Sequence, residues 1–113
     1  MSDGLTAGAE IRVDEITELG ARNQLDVYKH TRLNGDFYDT VLEGKYNYPG
    51  ENLDGGARSP AQVIQDWMNS DDHKENILRD NFQKLGVAYN EYDEDPSNQR
   101  FYWVQLFADS LKA

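Results

Sequence analysis

Apolar residues first recur at helical spacing around Ile16 and Leu19, and the pattern continues through Asn23 to Val27. Three- and four-residue spacing puts such positions on one helix face. Asp14 is a good N-cap after Val13, and Glu15 and Glu18 sit where a helix dipole favours acids. This predicts a helix from Asp14 to about residues 28–30, weakened at Gly20 by about 1 kcal/mol relative to Ala. Residues 1–12 are small and polar and read as a flexible lead-in. Asn34-Gly35 marks a turn, and residues 36–48 mix aromatic and polar positions without a period.

The clearest element begins at Ser59. Ser59-Pro60-Ala61-Gln62 combines an N-cap serine, a proline at the first helical position and a capping-box glutamine. Val63, Ile64, Trp67 and Met68 then form an apolar stripe that should pack on a core. Ser70 is placed to cap a second, short helix, with Asp71 and Asp72 in its first turn and Ile77-Leu78 as its buried pair. Two stretches rich in β-branched and aromatic residues follow, LGVAYNEY (85–92) and FYWVQLFA (101–108). The polar segment DEDPSNQR joins them, so they read as an antiparallel hairpin with a solvated loop.

Composition narrows the classes of function. With 113 residues the chain makes one domain with one modest core. Net charge is −10, from 21 acids against 11 bases, which disfavours phosphate backbones and anionic lipid surfaces. No nucleic-acid partner is expected. There is no cysteine, so no disulfide, thiolate nucleophile or thiolate metal site exists. No run approaches the ~18–20 apolar residues of a membrane span, and Met1-Ser2-Asp3-Gly4 lacks the basic start and apolar run of a signal peptide.

Candidate chemistry rests on few residues. His30 and His73 are the two histidines, and each has polar neighbours, so both also read as solvated surface residues. Glu51 lies in YPGENLDGG, a turn-forming context that either leaves it in solvent or aims its carboxylate. Glu91, Asp93 and Asp95 alternate on the hairpin loop, but the loop lacks the glycine and closing glutamate of an EF-hand. Ser70 and His73 share a helical turn, yet no G-x-S-x-G motif accompanies them.

The order HTRLNG, GENL, SPAQVIQDWMNSDDHKENIL, NFQKLGVAYN, FYWVQLFA resembles the bacterial branch of the CAP superfamily, the cysteine-rich secretory protein or SCP domains. The resemblance covers about residues 14–108. It implies an α+β fold, a three-layer α-β-α sandwich with a C-terminal antiparallel hairpin, with residues 13–109 as the single domain. It further implies a cleft lined by His30, Glu51 and His73, with Thr31, Asn52 and Ser70 in support. Ser70 stands where many eukaryotic members carry a second glutamate on the helix. Two imidazoles and one carboxylate would suit Zn²⁺ or another divalent cation; without metal, the carboxylate would stabilise an imidazolium.

Three departures from the family pattern stand out. An opening helix with an Asn-x-x-Arg segment is not seen ahead of Asp14, Leu33 replaces a proline, and the stretch from Arg22 to His30 is about two residues short. A missing helix predicts an exposed apolar face, a fragment boundary or a covering partner. The functional expectation is a secreted or cell-surface, non-enzymatic binding module whose cleft holds a divalent metal or small ligand. The alternative is a metal-assisted hydrolase, such as a peptidase, using the same cleft. A scaffold that works through its acidic surface is the third reading. The partner is expected to be a small ligand or another protein.

Overall fold

A computed structural model describes residues 3–22 and 30–112. The elements, in order, are α1 (Asp3–Ala21), a short 3₁₀ helix (Tyr38–Leu42), β1 (Tyr46–Asn47), β2 (Gly50–Gly55), α2 (Pro60–Met68), α3 (Asp71–Leu78), β3 (Lys84–Glu91), β4 (Phe101–Ala108) and β5 (Ser110–Leu111). An antiparallel sheet in the order β2-β4-β3 forms the middle layer, and β1 pairs separately with β5.

The alternation of a strand sorts the sheet into two faces. Leu53, Tyr102, Val104, Leu106, Ala88 and Ala108 face α1, where they meet Leu5, Ala9, Val13 and Ile16 in the main core. The opposite face carries Trp103, which joins Ala57, Val63 and Trp67 in a smaller cluster beneath α2. Helices therefore lie on both faces, as the α-β-α expectation requires. The hairpin is also present: β3 and β4 pair without a break from Lys84↔Ala108 to Glu91↔Phe101.

The flexible lead-in over residues 1–12 is corrected, because residues 3–12 are the first turns of α1. Leu5, Ala9, Val13 and Ile16 follow helical spacing and are buried. Small side chains hid that period. They are small because the helix lies close against its neighbours: a Cβ at Gly86 of β3 would overlap the backbone of Leu5 and Thr6. Helix α1 thus covers the sheet face for which an exposed apolar surface or a covering partner was among the expectations. The predicted extension of this helix through Asn23 and Val27 falls outside the described residues.

The second helix begins as expected. Ser59 accepts from the Gln62 amide at 3.1 Å, and the Gln62 side chain reaches back to the Arg58 amide at 3.0 Å. Its buried stripe is narrower than predicted: Val63 and Trp67 are inside, whereas Ile64 is exposed and Met68 half-buried. Trp67 is held by Nε1 donating to the Leu53 carbonyl at 3.0 Å. In α3 the expected pair Ile77-Leu78 splits, with Ile77 half-buried and Leu78 exposed. A two-turn helix on the rim of a sheet can bury little of its surface.

The hairpin loop is not simply solvated. Asp95 is buried and accepts from the Ser97 amide (2.9 Å), the Ser97 hydroxyl (2.7 Å), the Arg100 amide (3.0 Å) and the Tyr102 hydroxyl. These donors outweigh the effect of burial and hold its carboxyl below the ordinary range. A carboxylate so occupied offers no ready ligand for calcium.

Candidate functional site

Glu51 lies on β2, opposite Leu106 of β4, so it faces α1. It is 3 % exposed and meets the 0 % exposed Arg12 of α1. Arg12 grips the carboxylate with two bonds: Nε donates to Oε2 at 2.7 Å and Nη2 to Oε1 at 3.1 Å. Such a fork is the strong geometry for a guanidinium and a carboxylate. His30 Nδ1 approaches Oε1 at 2.8 Å. A carboxylate paired to a guanidinium has only lone pairs to offer, so His30 donates its Nδ1–H. In the neutral ring, Nε2 is then an acceptor.

The network extends beyond Glu51. Arg12 Nη1 donates to Glu15 Oε1 at 3.0 Å, one turn along α1, and Arg32 Nε donates to Glu15 Oε2 at 3.0 Å. Loop residues His30 and Arg32 are thus tied to β2 and α1, His30 by its hydrogen bond to Glu51 and Arg32 by its ion pair with Glu15. Burial alone would weaken the charge on Arg12; bonds and charge from Glu51, then Glu15, outweigh it and hold the guanidinium above its ordinary value. The loop closes on itself through the Tyr38 amide to the His30 carbonyl (2.9 Å) and the Asn34-Gly35 turn, where Gly35 takes φ +91°.

Above this floor lies a cleft of about 260 Å³, lined by His30, Phe37, Tyr38, Pro49, Gly50, Glu51, Asn76, Arg79 and Phe82. Burial, and then the charges of Glu51 and Asp39, push the Tyr38 phenol up, so it keeps its proton. Phe82 stacks on Phe107, with centroids 5.2 Å apart, and Arg79 lies over Phe82 at 5.2 Å. The cleft therefore combines a polar floor, aromatic walls and one guanidinium.

The other expected site residues divide. Asn52 is fully buried and joins α3 to the sheet: Nδ2 donates to Gln105 Oε1 (3.1 Å) and the His73 carbonyl (3.2 Å), and Oδ1 accepts from Asn76 (2.9 Å). Ser70 occupies the N-cap position of α3 without a side-chain capping bond. Thr31 is exposed and forms a backbone bridge with Phe37. His73 is half-buried and within electrostatic reach of His30. Burial, and then His30, lower its pKa.

His73 does not complete a ligand set with His30 and Glu51. Among the described residues, no group of three or more His, Cys, Asp or Glu could hold a metal ion. The chemistry of the donors agrees. Arg12 and His30 already occupy both oxygens of Glu51, and the guanidinium would repel a cation placed beside them. The expected Zn²⁺ set does not fit this arrangement. Arg12 is the residue that the sequence reading missed. The signal was there: Leu5, Ala9, Val13 and Ile16 place Arg12 on the inner side of the same helix.

Comparison with known proteins agrees with this fold. The description of the cysteine-rich secretory protein family (CAP) matches residues 1–107. The uncharacterized protein YkwD of Bacillus subtilis (strain 168) is 46 % identical over 44 residues, 39 % of this chain, which spans only 17 % of that protein. An outer surface protein from Borrelia burgdorferi superposes with a TM-score of 0.72 at 23 % identity, over 95 % of this chain and 74 % of the other. An extracellular protein containing a SCP domain from Bacillus anthracis str. Ames gives 0.72 at 20 %, over 96 % and 33 %. With the family match extending over nearly the whole chain, and α1 included in it, the chain belongs to the cysteine-rich secretory protein (CAP) family.

Proposed function

We propose that this chain is a non-enzymatic binding module, acting outside the cell or at its surface, whose His30–Glu51 cleft takes a small polar ligand. The observation that carries this reading is the buried Arg12–Glu51 pair joined to the exposed His30 beneath an open cleft. It fixes one tautomer of His30 and leaves Nε2 to accept from a ligand. Phe37 and Phe82 offer apolar faces beside it, a common composition for a small-ligand site. The extracellular and outer-surface proteins of the same fold support the location. That no group of three His, Cys, Asp or Glu among the described residues could hold a metal favours binding over metal-assisted hydrolysis.

The test titrates a panel of free amino acids, monosaccharides and disaccharides against ¹⁵N-labelled protein and follows the histidine ring nitrogens by NMR. A binder is expected to move Nε2 of His30 and to lose affinity at least tenfold in His30→Ala. Calorimetry with Zn²⁺ runs beside it and is expected to show no stoichiometric binding. Micromolar Zn²⁺ binding abolished in the His30→Ala/His73→Ala double variant would overturn this reading in favour of a metal site.

A further inference from the structure

The two flanks of α1 differ. On the β2 side, Arg12 and Glu15 close onto Glu51 and Arg32. On the β3 side the helix leaves a groove of about 470 Å³, whose lining includes Glu10, Val13, Asp14, Val87, Tyr89 and Asn90. A second hollow of about 300 Å³ shares Asp14 and Asn90 and continues past Thr17 and Glu18 to Tyr92. Contacts keep the same order along helix and strand. Gly86 lies against Leu5 and Thr6, and Asn90 donates to Asp14 (2.8 Å) and Thr17 (3.1 Å). The groove therefore runs along β3.

Strand β3 is the outer strand of its sheet. It is eight residues long, pairs with β4 in unbroken register, and contains no proline and a single lysine, at its start. Edge strands are usually blunted by shortness, lysine, proline or a bulge. This one is not. Val87 and Tyr89 turn their side chains to the α2 face, so they meet the α1-side groove with main chain.

Glu10, Asp14 and Glu18 stand along this flank at i, i+4, i+8. Among the described residues no cation pairs with Glu10 or Asp14, and Glu18 pairs only with the exposed Arg22. Four helical residues advance about 6 Å. Alternate residues of an extended strand are about 6.6 Å apart. The two repeats nearly match.

We propose that the outer edge of β3 adds an extended basic segment of another protein as a further strand, its alternate Lys or Arg side chains reaching Glu10, Asp14 and Glu18. Main-chain bonds to the edge supply affinity, and the acidic stripe supplies register and charge selection. A second copy of this chain is a poor occupant, because a net charge of −10 on each copy opposes pairing. The site lies on the opposite flank of α1 from the cleft and does not depend on it.

The probe is a fluorescein-labelled (Lys-Thr)₄ peptide, followed by anisotropy, with amide hydrogen exchange over residues 84–91. Expected are saturable binding and slowed exchange in β3. Affinity should be at least tenfold weaker for the block peptide Lys₄Thr₄ and for one of two peptides N-methylated at alternate positions, odd or even. Glu10→Gln/Glu18→Gln should weaken binding several-fold while leaving thermal stability unchanged. Equal binding of the alternating, block and both N-methylated peptides would reduce the interaction to general charge attraction and overturn the proposal. No binding would overturn it too, as would a β3-mediated dimer in sedimentation.

Discussion

Replacing Arg12 by Met tests whether the cleft floor is a buried charge network. Methionine keeps much of the volume and removes the guanidinium. Glu51 then keeps only the His30 Nδ1–H and sits as a nearly uncompensated buried charge. The side chains of Arg12 and Glu51 are 1 % and 0 % exposed, so water cannot replace the lost partner. Breaking such a pair costs about 3–5 kcal/mol. For 113 residues, each kcal/mol moves the melting temperature by about 4 °C, so Arg12→Met should lower it by about 12–20 °C. Urea denaturation with an unchanged m-value reads the loss directly. Arg12→Met/Glu51→Met should recover most of it, because apolar groups of similar volume often replace a buried pair without loss. Glu18→Gln is the contrast: its pair with Arg22 is half-exposed and should matter by less than about 1 kcal/mol. A loss below about 1 kcal/mol in Arg12→Met, or no recovery in the double variant, would refute the assignment.

Two further outcomes follow from other parts of the fold. Burial, and then the bond that the protonated carboxyl donates to Asp66 of α2, push Asp54 up to about 7, against about 3.9 for an unperturbed aspartate. The folded chain therefore holds a proton that the unfolded chain releases earlier. That stability is fully present below about pH 4 and is lost as pH rises through about 7. Asp54→Asn should flatten this part of a pH series of melting temperatures, and an unchanged slope would count against the carboxyl pair. Gly86→Ala would force a Cβ into the backbone of α1, which cannot move without breaking the main core, and should cost about 3 kcal/mol or more. Chemical denaturation checks it; a near-neutral effect would mean that α1 can lift away from β3.

Local patterns made several elements legible from sequence. Ser59 and Gln62 cap a helix through bonds between near neighbours, so residue order determines them almost alone. The β-branched and aromatic runs of β3 and β4 likewise announce strands, and their short polar connection announces a hairpin. The motif order of the CAP family pointed to His30, Glu51 and His73; the first two share a hydrogen bond, and His73 joins no ligand set with them.

What the sequence left open was decided by contacts between distant segments. The glycines and alanines of early α1 carry little hydrophobic signal; their value lies in close approach to the sheet, and that depends on Gly86, roughly eighty residues away. Arg12 reads as an ordinary charged position until β2 brings Glu51 against it, 39 residues later in the chain. That meeting also decides the chemistry. Two histidines and a glutamate, read as a string, suggest a metal. Folded together with a buried guanidinium, the same glutamate has a partner on each oxygen, and the histidine beside it donates to one of them. A short sequence window records which groups exist, but the balance of desolvation and charge at each group is set by the neighbours that folding supplies.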